Sequence, residues 1–330
     1  MKQKYHIAWW NVENLFDVQN STQRPEWLQN TLNSELIGWD ENVLNMKINN
    51  LSFIIQKMNN NLGPDILGVC EVENIAVLKS LADSLAPLGR NYEIVHHDMS
   101  DDRGIDIAFI FDKNMFDFEE YFSHVVLKRN ATRDIFQANF VTKKGNPLIL
   151  IGNHWPSRIS GELETEPYRI IAAETMSYWL ERIIALRGSD TAVLAMGDFN
   201  DEPFSRSVSE YGLSTNSPVK VLNSRSPRMF NLMWPFMGKA LGTFYYDNFP
   251  LMFDQFLTSK GLLKSTAKIK IVNDSGNYQV AIEMYDEMKS GGAYPSPIFF
   301  SRPSEQSSYN PNGFSDHYPI SVVLEETFTP

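Results

Sequence analysis

The stretch Ala192-Val193-Leu194-Ala195-Met196-Gly197-Asp198-Phe199-Asn200-Asp201-Glu202-Pro203 carries an apolar run to a glycine. It then releases an aspartate and an asparagine two positions apart before a proline stops it. Alternation along an extended strand sends Asp198 and Asn200 to one side and Phe199 to the other. A carboxylate beside a carboxamide offers negative charge, a proton acceptor and a neutral donor, enough to hold a water and a phosphoryl oxygen together. The same residue types also build ordinary turns, so the pair takes its meaning from the other strand ends. Asn11, Glu71, His154, Asp254, Asp316 and His317 each stand at the terminus of an apolar run or beside one. Folded so that these ends converge, they combine oxygen donors suited to a hard divalent cation with imidazoles that titrate near neutrality.

The elements that must position them are legible as apolar patterns. Ile7–Trp10 reads as a short buried strand ending at Asn11, and residues 19–40 read as a polar loop. Helical spacing of Val43, Leu44, Ile48, Leu51, Ile54, Ile55 and Met58 predicts a helix from Glu41, stopped by Asn60-Asn61-Leu62-Gly63-Pro64. A second strand, Asp65–Glu71, is followed by a helix that begins at Glu73 or Asn74. Tyr92–His96 and Ile105–Phe111 read as strands, and Ile135–Val141 with Leu148–Gly152 as a hairpin. A helix from about Pro167 to Leu186 leads to the Asp198 strand; Met252–Leu257 and Tyr318–Leu324 are later strands, with Lys268–Val272 a candidate. Strands mixed with helices over the whole length predict an α/β fold in a single domain spanning 1–330, with irregular inserts near 204–252 and 286–314.

Composition narrows the classes. At 330 residues, 43% hydrophobic and 12% aromatic, the chain can bury a large core, which excludes wholesale disorder. A net charge of −11 argues against affinity built on broad phosphate neutralisation, while surplus carboxylates suit a site that meets phosphate through a bound cation. Cys70 is the single cysteine, which excludes an intramolecular disulfide and a cysteine zinc cluster. That usage fits a cytoplasmic protein and equally an exported one without disulfides. No signal-type apolar segment precedes the first strand, and no apolar run reaches membrane-spanning length.

Six motifs carry a resemblance: Trp-Asn-Val-Glu-Asn-Leu-Phe-Asp (10–17), Cys-Glu-Val-Glu-Asn (70–74), Asn-His-Trp-Pro-Ser-Arg (153–158), Gly-Asp-Phe-Asn-Asp-Glu-Pro (197–203), Phe-Asp-Gln (253–255) and Ser-Asp-His-Tyr-Pro (315–319). In this order the chain resembles the endonuclease/exonuclease/phosphatase superfamily, DNase I-like metal-dependent phosphoesterases. The resemblance implies a four-layer αββα sandwich of two mixed sheets, and metal-dependent attack of water on a phosphoester. It matches Asn11 and Glu71 to the metal site, which Asp316 would complete for Mg2+ or Mn2+. Asp198 and Asn200 match the pair that orients the attacking water and the phosphoryl oxygens. His317 matches the histidine near that water, with Asp254 as its orienting acid, and His154 matches a second active-site histidine.

Other residues are weighed beside these. Asp106, a carboxylate inside an apolar strand, is expected to orient His154. Arg158, then Arg133 and Arg103, flank strand ends and are candidates for phosphate contact. Glu13 and Glu73 are the acids most easily mistaken for ligands, and His96, His97 and His124 read as structural or solvent-exposed. The aromatics Trp234, Phe236, Phe244 and Tyr245 could line a substrate rim, although packing of an irregular insert is the commoner explanation. The leading functional reading is a phosphodiesterase or endonuclease. A phosphomonoesterase or phospholipase C-like enzyme acting on a sugar, inositol or lipid phosphate is the alternative, and a catalytically silent binding module the third. The expected partner is a phosphoester substrate, with nucleic acid among the candidates; a monomer is expected, with no stable membrane insertion and no protein partner.

Overall fold

Ile7 and Trp9 alternate with Ala8 and Trp10, all four fully buried, so the first strand must be covered on both faces. The computed structural model, which describes residues 1–303 and 308–328, shows how. The first part of the chain forms β1 (Lys2–Leu15), α1 (Glu26–Leu32), α2 (Glu41–Asn61), β2 (Ile66–Val72), α3 (Ile75–Ser84), β3 (Tyr92–His96), β4 (Asp106–Asp112) and β5 (Phe116–His124). It continues through β6 (Ile135–Thr142), β7 (Pro147–His154), α4 (Glu162–Arg187) and β8 (Val193–Asp198). There follow β9 (Ser214–Thr215), α5 (Pro218–Asn223), β10 (Met229–Asn231), β11 (Phe244–Tyr246), β12 (Phe249–Leu251) and β13 (Asp254–Thr258). The last elements are α6 (Lys260–Leu263), β14 (Ile269–Ile271), β15 (Asn273–Asp274), β16 (Asn277–Tyr278), β17 (Val280–Ile282) and β18 (Ile320–Thr327).

Two seven-stranded sheets result. One runs β14-β18-β1-β2-β4-β3, with β17 also against β18; the other runs β5-β6-β7-β8-β13-β10-β9. Both are mixed, because β1–β2 and β7–β8 pair in parallel among antiparallel neighbours. Ile7, Trp9, Phe109, Phe136, Leu150 and Met196 fill the space between the sheets. Ala8, Trp10, Leu67 and Val69 turn outward onto Leu51, Ile54 and Ile55 of α2 and Leu78 of α3. On the far side Ile149, Ile151, Val193 and Ala195 meet Ala172, Met176 and Leu180 of α4. The layers are therefore helix, sheet, sheet, helix, as expected. Each large apolar side chain fully buried contributes roughly 1.5–3 kcal/mol.

The helices that cover the first sheet begin at side-chain caps. Asp40 accepts from Val43 N, and Asn74 accepts from Ala76 N and Val77 N. Three elements depart from the sequence pattern. Residues 19–40 are not wholly a loop: α1 seats Leu28 and Leu32 with Phe16, Leu36, Trp39 and Phe300 in a separate small core. With seven residues and no capping side chain, α1 left little periodic signal. The sequence pattern does not announce strand β5, which lies at the sheet edge with positions 117–122 all exposed and its aromatics interleaved with acids, so that they form no apolar run. Helix α4 begins at Glu162, and Pro167 is accommodated inside it.

The described residues from 286 to 314 are irregular apart from a 3-10 turn at Asp286–Met288 and a bridge between Lys289 and Pro297. Of that stretch, residues 304–307 lie outside the described residues. Among the described residues no helix is long and apolar enough to cross a membrane.

Candidate active site

Strand register assembles the site. His154 ends β7 opposite Asp198 at the end of β8, and Asp254 opens β13 on the other side of Asp198. One sheet rim therefore presents histidine, carboxylate and carboxylate on three adjacent strands. From the other sheet, Asn11 on β1 pairs with Cys70, the residue before Glu71 on β2. The Asn11 Nδ2 donates to Asp198 Oδ2 at 3.1 Å, joining the rims of the two sheets. The backbone is irregular here: Glu13, Asn14, Glu71 and Asn200 all hold positive φ, and both β1–β2 and β2–β4 shift register at this end. Such conformations are costly for residues with a Cβ and persist where the surroundings over-determine them.

His317 and Asp254 form a tight pair. His317 Nδ1 donates to Asp254 Oδ2 at 2.6 Å, and Asp254 Oδ1 accepts from Trp9 Nε1 at 3.1 Å. Trp10 Nε1 donates to the His317 carbonyl at 2.8 Å, while Ser315 Oγ accepts from His317 N and donates to Asn11 O. With Nδ1 so held, His317 Nε2 points toward Asp198 Oδ2, 3.8 Å away. Burial alone would lower the His317 pKa, but Asp254, Asp198 and Asp316 together push it well above the usual imidazole range. His317 is therefore an imidazolium at neutral pH.

The opposite holds for His154. Its Nε2 lies 3.6 Å from Glu71 Oε1 and 3.8 Å from Asp198 Oδ2, and its buried Nδ1 has no hydrogen-bond partner. Burial, followed by the charges of Arg133, Arg103 and His317, pushes its pKa well down, so this imidazole is neutral. Asp198 is raised to about 6, chiefly by burial, despite the opposing charge of His317 and hydrogen bonds from Asn200 N and Asn11. Asn200 donates Nδ2 to Trp155 O at 3.0 Å, which orients its carboxamide beside Asp198.

Glu71 accepts from Asn14 N at 3.0 Å through one oxygen, leaving the oxygen that faces His154 without a hydrogen bond. Asp316 is raised to about 7 by burial, with Glu13 and Glu71 adding to the shift, and its buried Oδ1 has no partner among the described residues. An orphaned buried carboxylate oxygen close enough to a second acid to feel its charge is the condition a hard cation relieves. Asn11, Glu71 and Asp316 thus fit a Mg2+ or Mn2+ ion in donor chemistry. The acids set aside as poor ligands have other work. Glu13 accepts from Phe300 N, Ser301 N and the fully buried Lys47, while Glu73 holds the buried Arg24 through two hydrogen bonds.

Three expectations change. Asp106 does not reach His154; it accepts from His96 Nε2 at 2.9 Å and Met99 N at 2.9 Å, because β3 lies beside β4. His96, Asp98 and Asp106 form a compact group whose donor atoms lie within 4.8 Å of one another. Arg133 is fully engaged, donating to His154 O, Trp155 O and Asp101 Oδ2. Arg158 is engaged likewise, by Asn200 O, Asp201, Glu162 and the face of Phe253. These two arginines brace the strand ends that carry His154 and Asn200, and Arg103 is the one of the three with an exposed side chain. Residues that sequence reasoning missed include Trp9, Trp10 and Ser315, which hold the His317–Asp254 pair; Trp10 and Ser315 lie within the motifs and Trp9 adjoins one, but nothing in their own types announced the role.

A two-sheet sandwich with a buried His–Asp pair facing clustered carboxylates at one rim is a phosphoesterase architecture. A profile of the Endonuclease/Exonuclease/phosphatase family matches residues 6–326, and the chain belongs to that family. Among solved structures, D. rerio TDP2 humanized by 14 mutations is 17% identical with a TM-score of 0.55, covering 97% of this chain and 98% of that one. A mannosyl-6-phosphatase of Bacteroides thetaiotaomicron VPI-5482 is 17% identical with a TM-score of 0.53, covering 97% of this chain and 99% of its own. The human Nocturnin catalytic domain with bound sulfate is 14% identical with a TM-score of 0.54, covering 98% and 95%. A comparison with curated protein sequences yields no significant match.

Proposed function

We propose that this protein is a divalent-metal-dependent phosphoester hydrolase, acting as a phosphodiesterase of the endonuclease type. The observation that carries the reading is the opposition of two differently tuned groups across one cleft. His317, held by Asp254, is cationic; Asp198, raised to about 6, can accept a proton near neutrality. Asp198, steadied by Asn11 and Asn200, accepts a proton from the attacking water as its oxygen bonds to phosphorus and the bond to the leaving oxygen breaks. The Nε2–H of His317 and the neutral imidazole of His154 face the phosphoryl oxygens as donors. A Mg2+ or Mn2+ ion held by Asn11, Glu71 and Asp316 would neutralise phosphoryl charge and stabilise the leaving oxygen. Arg103, exposed at the rim, is the arginine left to meet the phosphate.

A second reading, hydrolysis of a small phosphomonoester, is favoured by the net charge of −11 and by the engagement of Arg133 and Arg158 within the protein. The similarity of fold to a mannosyl-6-phosphatase is compatible with it. On the other side, a D. rerio TDP2 structure of the same fold contains a single-strand DNA product. The deciding experiment offers plasmid DNA, a generic phosphodiester and a panel of phosphomonoesters with Mg2+ or Mn2+, against Asp198→Asn. Metal-dependent cleavage of diesters that the variant lacks supports the phosphodiesterase. Phosphate release from monoesters alone moves the protein to the second reading, and no turnover of any substrate refutes both.

A further inference from the structure

The hairpin β11–β12 departs from the rule that large apolar side chains are covered. Tyr246 is 71% exposed and Phe249 70% exposed, and they face each other directly across the hairpin. The two turn residues, Asp247 and Asn248, both hold positive φ, which gives a tight primed turn whose twist matches the strands and fixes the pair. The root of the hairpin is tied to the catalytic pair from both sides. Thr243 Oγ1 accepts from Asp254 N, Thr243 O accepts from Tyr318 N, and Phe244 forms a bridge with His317.

Alternation along β11 decides which way the rings face. The Phe244 ring lies 4.9 Å from the His317 ring and stacks on Phe253 at 5.4 Å, while Tyr245 turns to the other face and packs on Tyr318. Tyr246, two residues beyond Phe244, is on the His317 side. Phe249 is its cross-strand partner and shares that face, as does Leu251 opposite Phe244. The result is an aromatic shelf that starts at Phe253 beside Asp254, passes Phe244 against His317, and runs outward to Tyr246 and Phe249.

We propose that Tyr246 and Phe249 form a substrate subsite that stacks a planar ring carried by one ester group of the phosphodiester, an inference resting on the phosphodiesterase reading. A π-face is what the shelf offers; a polyol would need several convergent hydrogen-bonding side chains, and the tip supplies only the Tyr246 hydroxyl and the two turn residues. The acidic Asp247 at the tip opposes contact with an anionic membrane. Nucleobase and aryl ring share this chemistry, and stacking a base on an aromatic platform changes affinity by roughly tenfold to a hundredfold.

The test follows three diesters of methyl phosphate by chromatography, their second ester group being thymidine, phenyl or cyclohexyl, with wild type and a Tyr246→Ala/Phe249→Ala variant. Wild type is expected to favour the planar esters over cyclohexyl in kcat/KM. In the variant that ratio should collapse about tenfold or more, through KM, and the thymidine and phenyl arms report which ring is preferred. An unchanged ratio overturns the subsite. Loss of binding to neutral phosphatidylcholine vesicles, with the ratio intact, also overturns it and assigns the rings to a membrane. If wild type turns over none of the esters, the hydrolase reading has failed by itself. Saturation-transfer NMR with thymidine 5′-monophosphate then judges the shelf: contact to the thymine protons lost in the variant supports it, and contact retained overturns it. Both side chains are in water, so the variant should fold as wild type does.

Discussion

Replacing Asp254 by asparagine tests the assignment of His317 as a cationic donor most directly. Both oxygens of Asp254 accept hydrogen bonds, from His317 Nδ1 at 2.6 Å and from Trp9 Nε1 at 3.1 Å. An asparagine offers one acceptor and one donor, so one of the two N–H groups would face another N–H, a mismatch of about 1–3 kcal/mol. The larger effect is electrostatic. At a charge separation of ~4 Å and an effective dielectric constant near 20, the carboxylate stabilises the imidazolium by about 4 kcal/mol. Asp198 and Asp316 remain to support the cation, but loss of the Asp254 charge and hydrogen bond should lower the His317 pKa. Activity that requires protonated His317 is lost as pH rises through its folded pKa. The alkaline limb of the pH–rate profile should therefore move to lower pH, and kcat should fall about 100- to 10,000-fold at neutral pH. The assay is hydrolysis of a generic phosphodiester from pH 5 to 10, paired with an NMR titration of His317. A variant with wild-type pH limits and a rate within about threefold of wild type would refute the role of Asp254 and the charge assigned to His317.

Other consequences follow from the same geometry. Asp316 is raised to about 7 in the folded metal-free protein, above its unfolded value of 3.8. Its contribution to stability is thus fully present below about pH 4 and is lost as pH rises through 7. The Tm of chelator-treated protein should fall as pH rises from about 4 to 7, and added Mg2+ or Mn2+ should restore it at pH 8. A pH-independent Tm, or none of that recovery, contradicts Asp316 as a ligand. Removing Glu73 leaves the buried Arg24 without its main partner, so Glu73→Ala should destabilise by about 3–5 kcal/mol in urea titration. A Cβ on Gly197 would stand 2.2 Å from the Asn153 carbonyl across β7–β8. Gly197→Ala should accordingly lose more than about 3 kcal/mol and most soluble expression, whereas Gly145→Ala, whose Cβ meets nothing within 4 Å, should cost no more than the strain of its positive φ, about 1–2 kcal/mol.

From the sequence by itself the α/β class and the strand-end members of the cleft were legible in local patterns, and the sandwich followed from the resemblance carried by its six motifs. Apolar runs of strand length, two buried on both faces, required cover on each side, and each ended in a polar residue whose position is set by where the strand stops. Asn11, Glu71, His154, Asp198, Asn200, Asp254, Asp316 and His317 are all brought together at one rim. What the tertiary structure alone decided is the partner of each long or isolated side chain. Asp106 turns to His96 because β3, distant in function but adjacent in space, lies beside β4. Arg133 and Arg158 bind carbonyls of His154, Trp155 and Asn200, since buried strand ends need donors that the chain cannot supply locally. The pKa values of the two histidines diverge although their residue type is the same. His317 collects three carboxylates from β8, β13 and its own turn, while His154 meets burial and two arginines. Periodicity places a residue on a face; which charges surround it is a property of elements that meet only once the chain has folded.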